Sequence, residues 1–411
     1  MIDNDRDILR ELAKRYAEIA SLPIQEEKRR LWRKSNDLCP ERPMVTIDQV
    51  CWSELMLTED SLRLQCVGQE CQWYEFDMRR ALYQWDNFPV DMVVEPFLRV
   101  RKAINNSGFG LEKIDRVIEL EGSRDVASHE YENQIKSFED VEKIKMPVIS
   151  HDLAETKRRI ERAEWLFGDI IGIREEGYER DISIWDPLSE LMGVENVLYA
   201  IIDQPEMMHT LAKKFSDGHL SMLTQLEEQG LLPHHQSLVH CTGAFTDQLP
   251  ADGFDAARPK LKDIWTWGQA QMFSTVSPSM FDEYEIAYTI PIYERFGLVY
   301  YGCCEPLDGK MDEVRKIPNL RKISMSPWAN QERGAMEIGK DYVFSRKPNP
   351  AYLAMETFDE DLIKKEFDET LGVCKKNGCA VEFILKDIST LHHHPDRLGK
   401  WADIAMKAVC K

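Results

Sequence analysis

"LVYYGCCEPLDGKMDEVRKI", residues 298–317, decides the fold. An apolar run, Leu298 to Tyr301, ends at Gly302. Cys303, Cys304 and Glu305 follow, and then a helical segment around 308–317. That is a strand, a loop and a helix joined without a linker. The same order recurs on both sides of it. "DIWTWGQAQMFS" (263–274) reads as a strand and "SPSMFDEYEIAYTIPIYERFG" (277–297) as its helix. "LRKISMSPWAN" (320–330), "DYVFSRKPN" (341–349) and "CAVEFILKDIST" (379–390) read as later strands, each with a helix behind it. "QSLVHCTGAF" (236–245) reads as an earlier one. Short strands alternating with helices mean parallel strands joined by crossovers. At this length a (β/α)8 barrel competes with a doubly wound open sheet. No G-x-G-x-x-G or G-x-x-x-x-G-K-S/T follows any strand, so the nucleotide-binding open sheets lose ground. The expected fold is an α/β (β/α)8 TIM barrel with an N-terminal helical extension.

The first third is less regular. A strand is expected near Val45–Ile47 and another apolar run lies within 88–104. The opening segment, "MIDNDRDILRELAKRYAEIA", reads as an amphipathic helix with Ile8, Leu12, Tyr16 and Ile19 on one face, capped by Asn4 or Asp5. It is charged throughout, unlike a signal peptide. No linker or low-complexity tract interrupts the 411 residues. One domain over 1–411 is expected, with 1–75 as a mainly helical extension.

The net charge is −20. Nucleic acid and anionic lipid both select basic surfaces, so neither is an expected partner. No apolar run approaches the roughly 20 residues that span a bilayer. Ten cysteines without an export signal indicate a reducing, cytoplasmic location.

In a barrel the chemistry gathers at the C-terminal strand ends. Here those ends carry His240-Cys241, Trp267, Cys303-Cys304-Glu305, Trp328 and Lys386-Asp387, with Trp185, Trp265, Tyr300 and Tyr301 among them. Such lining suits a flat aromatic or apolar substrate. Two readings of the cysteine pair stand side by side. One thiol packs inward as a small hydrophobe, or the pair binds metal or acts as a nucleophile. Zinc accepts Cys, His and carboxylate ligands, which makes Cys303, Cys304, Glu305 and His240 the expected set. A thiolate beside a helix N-terminus also has a lowered pKa. Neighbours on a strand point to opposite faces, so one of His240 and Cys241 faces the site. The histidines of "LHHHPDRL" (391–398) form a polar loop at the mouth or touch a ligand.

The succession from "SPSMFDEYEIAYTIPIYERFGLVYYGCCEPLDGKMDEV" through "ISMSPWAN" and "KDYVFSRKPNPAYLA" to "FILKDIST" resembles the uroporphyrinogen decarboxylase superfamily. The resemblance implies the barrel and the helical extension. It also implies one of two activities. The decarboxylating branch carries an Arg-Gln-Ala-Gly-Arg segment and a Phe-Ser-Asp-Ile motif, and this chain has neither. The other branch holds corrinoid-dependent methyltransferases. Its thiol-methylating members bind zinc through His-x-Cys at one strand end and a later Cys. Cys303 matches that cysteine, Tyr301 stands at the histidine position, and Asp387 lies near the later cysteine. This departure is more similar to the partner enzymes that move a methyl group from a small methoxylated substrate to the Co(I) corrinoid (cobalamin) of a carrier protein.

The resemblance implies zinc or an acid at the leaving oxygen. Glu305, Tyr301 and Asp387 are the expected catalytic residues, and Trp267, Trp328 and His393 the expected cofactor contacts. A homodimer is common in the family. The alternative activity is a metal-free decarboxylase acting on a carboxylated substrate.

Overall fold

On the strand Leu298–Tyr301, alternate side chains enter different cores. Leu298 and Tyr300 pack with Trp265 and Ile384 in a small cluster. Val299 and Tyr301 join the large cluster shared with the helices. A strand buried on both faces belongs to a parallel sheet covered by helices. The computed structural model, which describes residues 3–118, 128–179 and 181–410, has this architecture.

The parallel strands are β1 (Met44–Ile47), β2 (Phe97–Arg101), β3 (Gly172–Glu176), β4 (Trp265–Gly268), β5 (Leu298–Tyr301), β6 (Leu320–Met325), β7 (Val343–Arg346) and β8 (Ala380–Leu385). Six of them form one curled sheet in the order β1-β8-β7-β6-β5-β4. β2 and β3 pair with each other in parallel. One bridge, Ile182 to Gly268, ties the segment after β3 to β4. The result is a half-barrel with a two-strand flap beside it, and the ladder does not close among the described residues. Trp267 of β4 shares a cavity with Arg99 and Glu176 of the flap, so the two parts face each other.

Alternation sets the inner face. Leu98 and Ile173 pack outward with helices, so Arg99, Arg101, Arg174 and Glu176 point inward. Lys322 of β6 meets Glu382 of β8 at 2.8 Å, both fully buried, and Thr242 Oγ1 donates to the same carboxylate at 2.7 Å. The interior between half-barrel and flap is therefore rich in charge.

The N-terminal helix α1 (Asp3–Ala20) lies against α2 (Gln69–Asn87) and α3 (Leu153–Phe167). Its most buried positions are Leu9 and Ala13, one place along from the expected stripe. Asp5 caps a different helix: its carboxylate accepts from the N–H groups of Val67 and Gly68, at the start of α2. The stretch 1–75 is mainly helical, yet it also contains β1. "QSLVHCTGAF" departs from expectation. It forms a tight antiparallel hairpin, Leu238–Val239 with Thr242–Gly243, and His240-Cys241 make its turn.

Candidate functional site

β5 ends at Gly302, whose φ is +94°. A Cβ there would lie 2.5 Å from Leu307 Cδ1 and 3.0 Å from Ser324 Cβ. Only glycine makes this turn without a clash. The turn is pinned on both sides. Ser324 Oγ donates to the Cys303 carbonyl at 2.6 Å, and the Cys303 N–H donates to Glu305 Oε2 at 2.9 Å.

The thiol of Cys303, 3% exposed, is held in a charged cluster. Lys386 Nζ donates to its Sγ at 3.0 Å. Cys304 Sγ lies 3.6 Å away and is also 3.5 Å from Asp387 Oδ2, so its one proton can turn to either. Lys386 Nζ is also 3.5 Å from His240 Nε2. The His240 ring stacks on Trp267 at 6.1 Å and leans on Tyr300 at 5.5 Å. A second ammonium stands beside the first group: Lys347 Nζ donates to Tyr300 OH at 2.5 Å and to Ser324 Oγ at 2.6 Å. His240 and Asp387 both have left-handed backbones, with φ of 55° and 57°. Non-glycine residues in that region gather at sites where structure over-determines them.

The electrostatics follow from this geometry. The Cys304 S–H, aided by His240, Lys347 and Lys386, overcomes burial and holds Cys303 well below the usual thiol range. Cys304 moves the other way, because its proton is shared with that thiolate and burial disfavours its charge. Burial works against the Lys386 ammonium, but Cys241, Cys303 and Asp387 outweigh it and keep it charged. Burial pushes His240 below the usual imidazole range. Burial, with the Cys303 charge adding, pushes Glu305 up to about 7.

Of the expected residues, Cys303, Cys304, His240, Trp267 and Asp387 come together. Glu305 adjoins them but turns away. Its oxygens accept from the backbone N–H groups of Cys303 and Ala270, so its part is to shape the loop. Tyr301 faces the helix layer, where its hydroxyl donates to Glu285 Oε1 at 3.0 Å. It does not share the inner face of Tyr300. Trp328 is 74% exposed, and His393 is exposed on the loop after β8. Trp185 is a core residue packed on Phe273 and Tyr284. Sequence reasoning missed Lys347, Ser324 and the inner-facing arginines of β2 and β3. Ser324 lies on β6, where strand alternation could have placed it, whereas Lys347 lies just beyond β7, outside any strand pattern.

The expected zinc ligands do not fit a metal ion as they stand. The Lys386 ammonium already occupies the space between Cys303 Sγ and His240 Nε2 that a cation would take. Both Glu305 oxygens are turned to backbone N–H groups, of Cys303 and Ala270. Among the described residues, no group of three or more His, Cys, Asp or Glu side chains could hold a metal ion.

Beside Trp267 opens a cavity of about 510 Å³, lined on the flap side by Arg99, Arg101, Lys102 and Glu176.

No family model matches the chain, and no curated protein matches it. Among solved structures, a methyltransferase from Methanosarcina mazei aligns over 92% of this chain and 97% of its own, at 12% identity and a TM-score of 0.49. At that score the likeness carries no argument about activity.

Proposed function

We propose that the chain is a methyltransferase of the corrinoid-dependent branch of the uroporphyrinogen decarboxylase superfamily. It takes the methyl group of a methoxylated aromatic compound, and the acceptor is the Co(I) corrinoid of a carrier protein. The observation that carries this reading is the buried amine of Lys386, fixed at the strand ends between Cys303, His240 and Asp387. When the C–O bond breaks, the electron pair stays on the leaving oxygen. A preorganised cation in a water-poor site stabilises that charge far better than water does. Lys386 is such a cation, and Cys303 thiolate keeps it oriented while the substrate is absent. The path Cys303–Cys304–Asp387 leads from the buried cluster to a half-exposed carboxylate, which gives protons a way in. The corrinoid supplies the nucleophile when the carrier is docked. Trp328 and His393 stand exposed on the strand-end side, where a flat cofactor face would meet them.

The test is loss of the Co(I) absorbance of a reduced corrinoid carrier on adding methoxyarenes. Lys386→Met is expected to slow it by roughly 100-fold, the usual scale for removing one preorganised charge stabiliser. A metal chelator is expected to leave the rate unchanged. If chelation abolishes the reaction and zinc restores it, the charge is stabilised by metal and the role given to Lys386 is wrong. The inner-facing arginines favour one second reading, decarboxylation of a carboxylated substrate, which would release CO₂ without any carrier.

A further inference from the structure

The cavity beside Trp267 sits at the C-terminal ends of β2 and β3 and has the volume of a small-molecule site. Four cations line it, and three are engaged. Arg99 Nε lies 3.2 Å from Glu176. Lys102 Nζ bonds the Gly230 carbonyl at 2.8 Å and lies 3.3 Å from Glu175. Arg159 Nε donates to Glu155 at 2.8 Å. Arg101 makes no side-chain hydrogen bond or ion pair among the described residues, although it faces the same cavity and is exposed to it.

We infer that this cavity binds a carboxylate on the substrate, with Arg101 as the group that grips it and Trp267 as the surface on which the substrate's ring lies. A planar guanidinium matches a carboxylate with two parallel N–H donors. Among the described residues no carboxylate lies within ion-pair distance of Arg101, although Glu176 and Glu179 line the same cavity and feel its charge from further away. Trp267 also stacks on His240, which lies 3.5 Å from Lys386 Nζ, so the cavity adjoins the lysine–thiol cluster across these two rings. This deepens the methyl-transfer reading and rests on it for the methoxy half. The carboxylate serves as a handle and is not lost.

Calorimetric titration of the full chain with 4-methoxybenzoate and with neutral methoxybenzene tests this without any corrinoid. The carboxylate is expected to bind at least about tenfold tighter, a factor of about 1.4 kcal/mol. Arg101→Gln is expected to erase that preference and Arg101→Lys to restore part of it, with unchanged melting temperatures. Equal binding of the two ligands, or a preference that survives Arg101→Gln, overturns the assignment. Tighter binding of phenyl phosphate than of benzoate overturns the carboxylate as the group recognised. The two proposals fail separately. Preferential binding with no methyl transfer to a carrier refutes the activity and keeps the subsite. Methyl transfer from both compounds, with no Arg101-dependent preference, does the reverse.

Discussion

Burial alone raises a thiol's pKa, because the charged form loses its hydration. Cys241, buried in the hairpin turn beside the cluster, obeys this rule and is pushed up to about 12. Cys303 is nearly as buried but goes down, and the difference lies in its partners. It has a neighbouring S–H at 3.6 Å and an ammonium at 3.0 Å. Removing the ammonium should therefore move the titration up. In Lys386→Met, the thiolate absorbance of Cys303, followed in a Cys304→Ser background that silences the second thiol, should appear at higher pH than in Cys304→Ser alone. A rise of about one pH unit, the scale of 1.4 kcal/mol, is expected. An unmoved curve would mean that Lys386 does not feel the thiolate. Much of this cluster was legible. "YYGCCEP" marks a strand end, and strand ends of barrels carry chemistry. Lys347 was not legible, because Ser-Arg-Lys-Pro-Asn reads as a solvated charged loop. Only the tertiary fold shows that its ammonium turns inward to Tyr300 and Ser324. Glu305 looked like a ligand for the opposite reason: its neighbours in sequence are thiols, while its hydrogen bonds go to backbone.

At the scale of elements, periodicity found β4 to β8 because their two buried faces are apolar enough to stand out. β3, "GIREE", escaped notice because its inner face is charged and only Ile173 marks it as a strand. The helix between β4 and β5 shows a related conflict between local sequence and packing. It passes through a π-helical turn, Asp282–Ile286, before Ala287–Tyr293. Such turns are rare and carry a side chain to an unusual position. Here that side chain is Glu285, fully buried, with Oε1 accepting from Tyr301 and Oε2 without a partner. Burial, with Asp186 and Glu305 adding, raises its pKa well above the carboxylate range. The sign of the pH effect follows. The folded chain keeps a proton that the unfolded chain releases above its ordinary pKa of about 4.3. The stability this contributes is complete below that pKa and is lost as pH rises through the folded value. Glu285→Gln keeps an acceptor for Tyr301 and removes the titration. Its melting temperature should fall less than that of the parent between about pH 5 and 8. Asp186 at about 6 and Glu305 at about 7 titrate with the same sign, so some slope remains. Parallel melting curves for the two proteins across that range would show that Glu285 stays ionised.

Over the whole molecule, two sets of contacts hold the two halves of the site. The half-barrel that carries Cys303, Lys347 and Lys386 is packed by the large cluster, which includes Val299, Tyr301, Phe344 and Phe383. The flap that carries Arg99 and Arg101 is backed by a separate cluster. Leu9 and Ala13 of α1, Met78 of α2, Phe167 of α3 and Val100 of β2 meet there. Arg10 adds a link from α1 to Asp169, just beyond α3. The N-terminal helix is thus part of the scaffold of one wall of the cavity. Because the two clusters are distinct and the ladder between flap and half-barrel is a single bridge, damage to one should spread poorly to the other. Leu9 is fully buried, so Leu9→Ala should destabilise by about 2–5 kcal/mol, the range for an unfilled core leucine. Hydrogen exchange should quicken in α1, α2, α3 and the β2–β3 pair, and binding of 4-methoxybenzoate should weaken with it. The thiolate titration of Cys303 should not move, because none of its partners touches that cluster. Uniformly faster exchange through β5 to β8, together with a shifted Cys303 titration, would instead mean that flap and half-barrel unfold as one unit and that the cavity wall has no independent support.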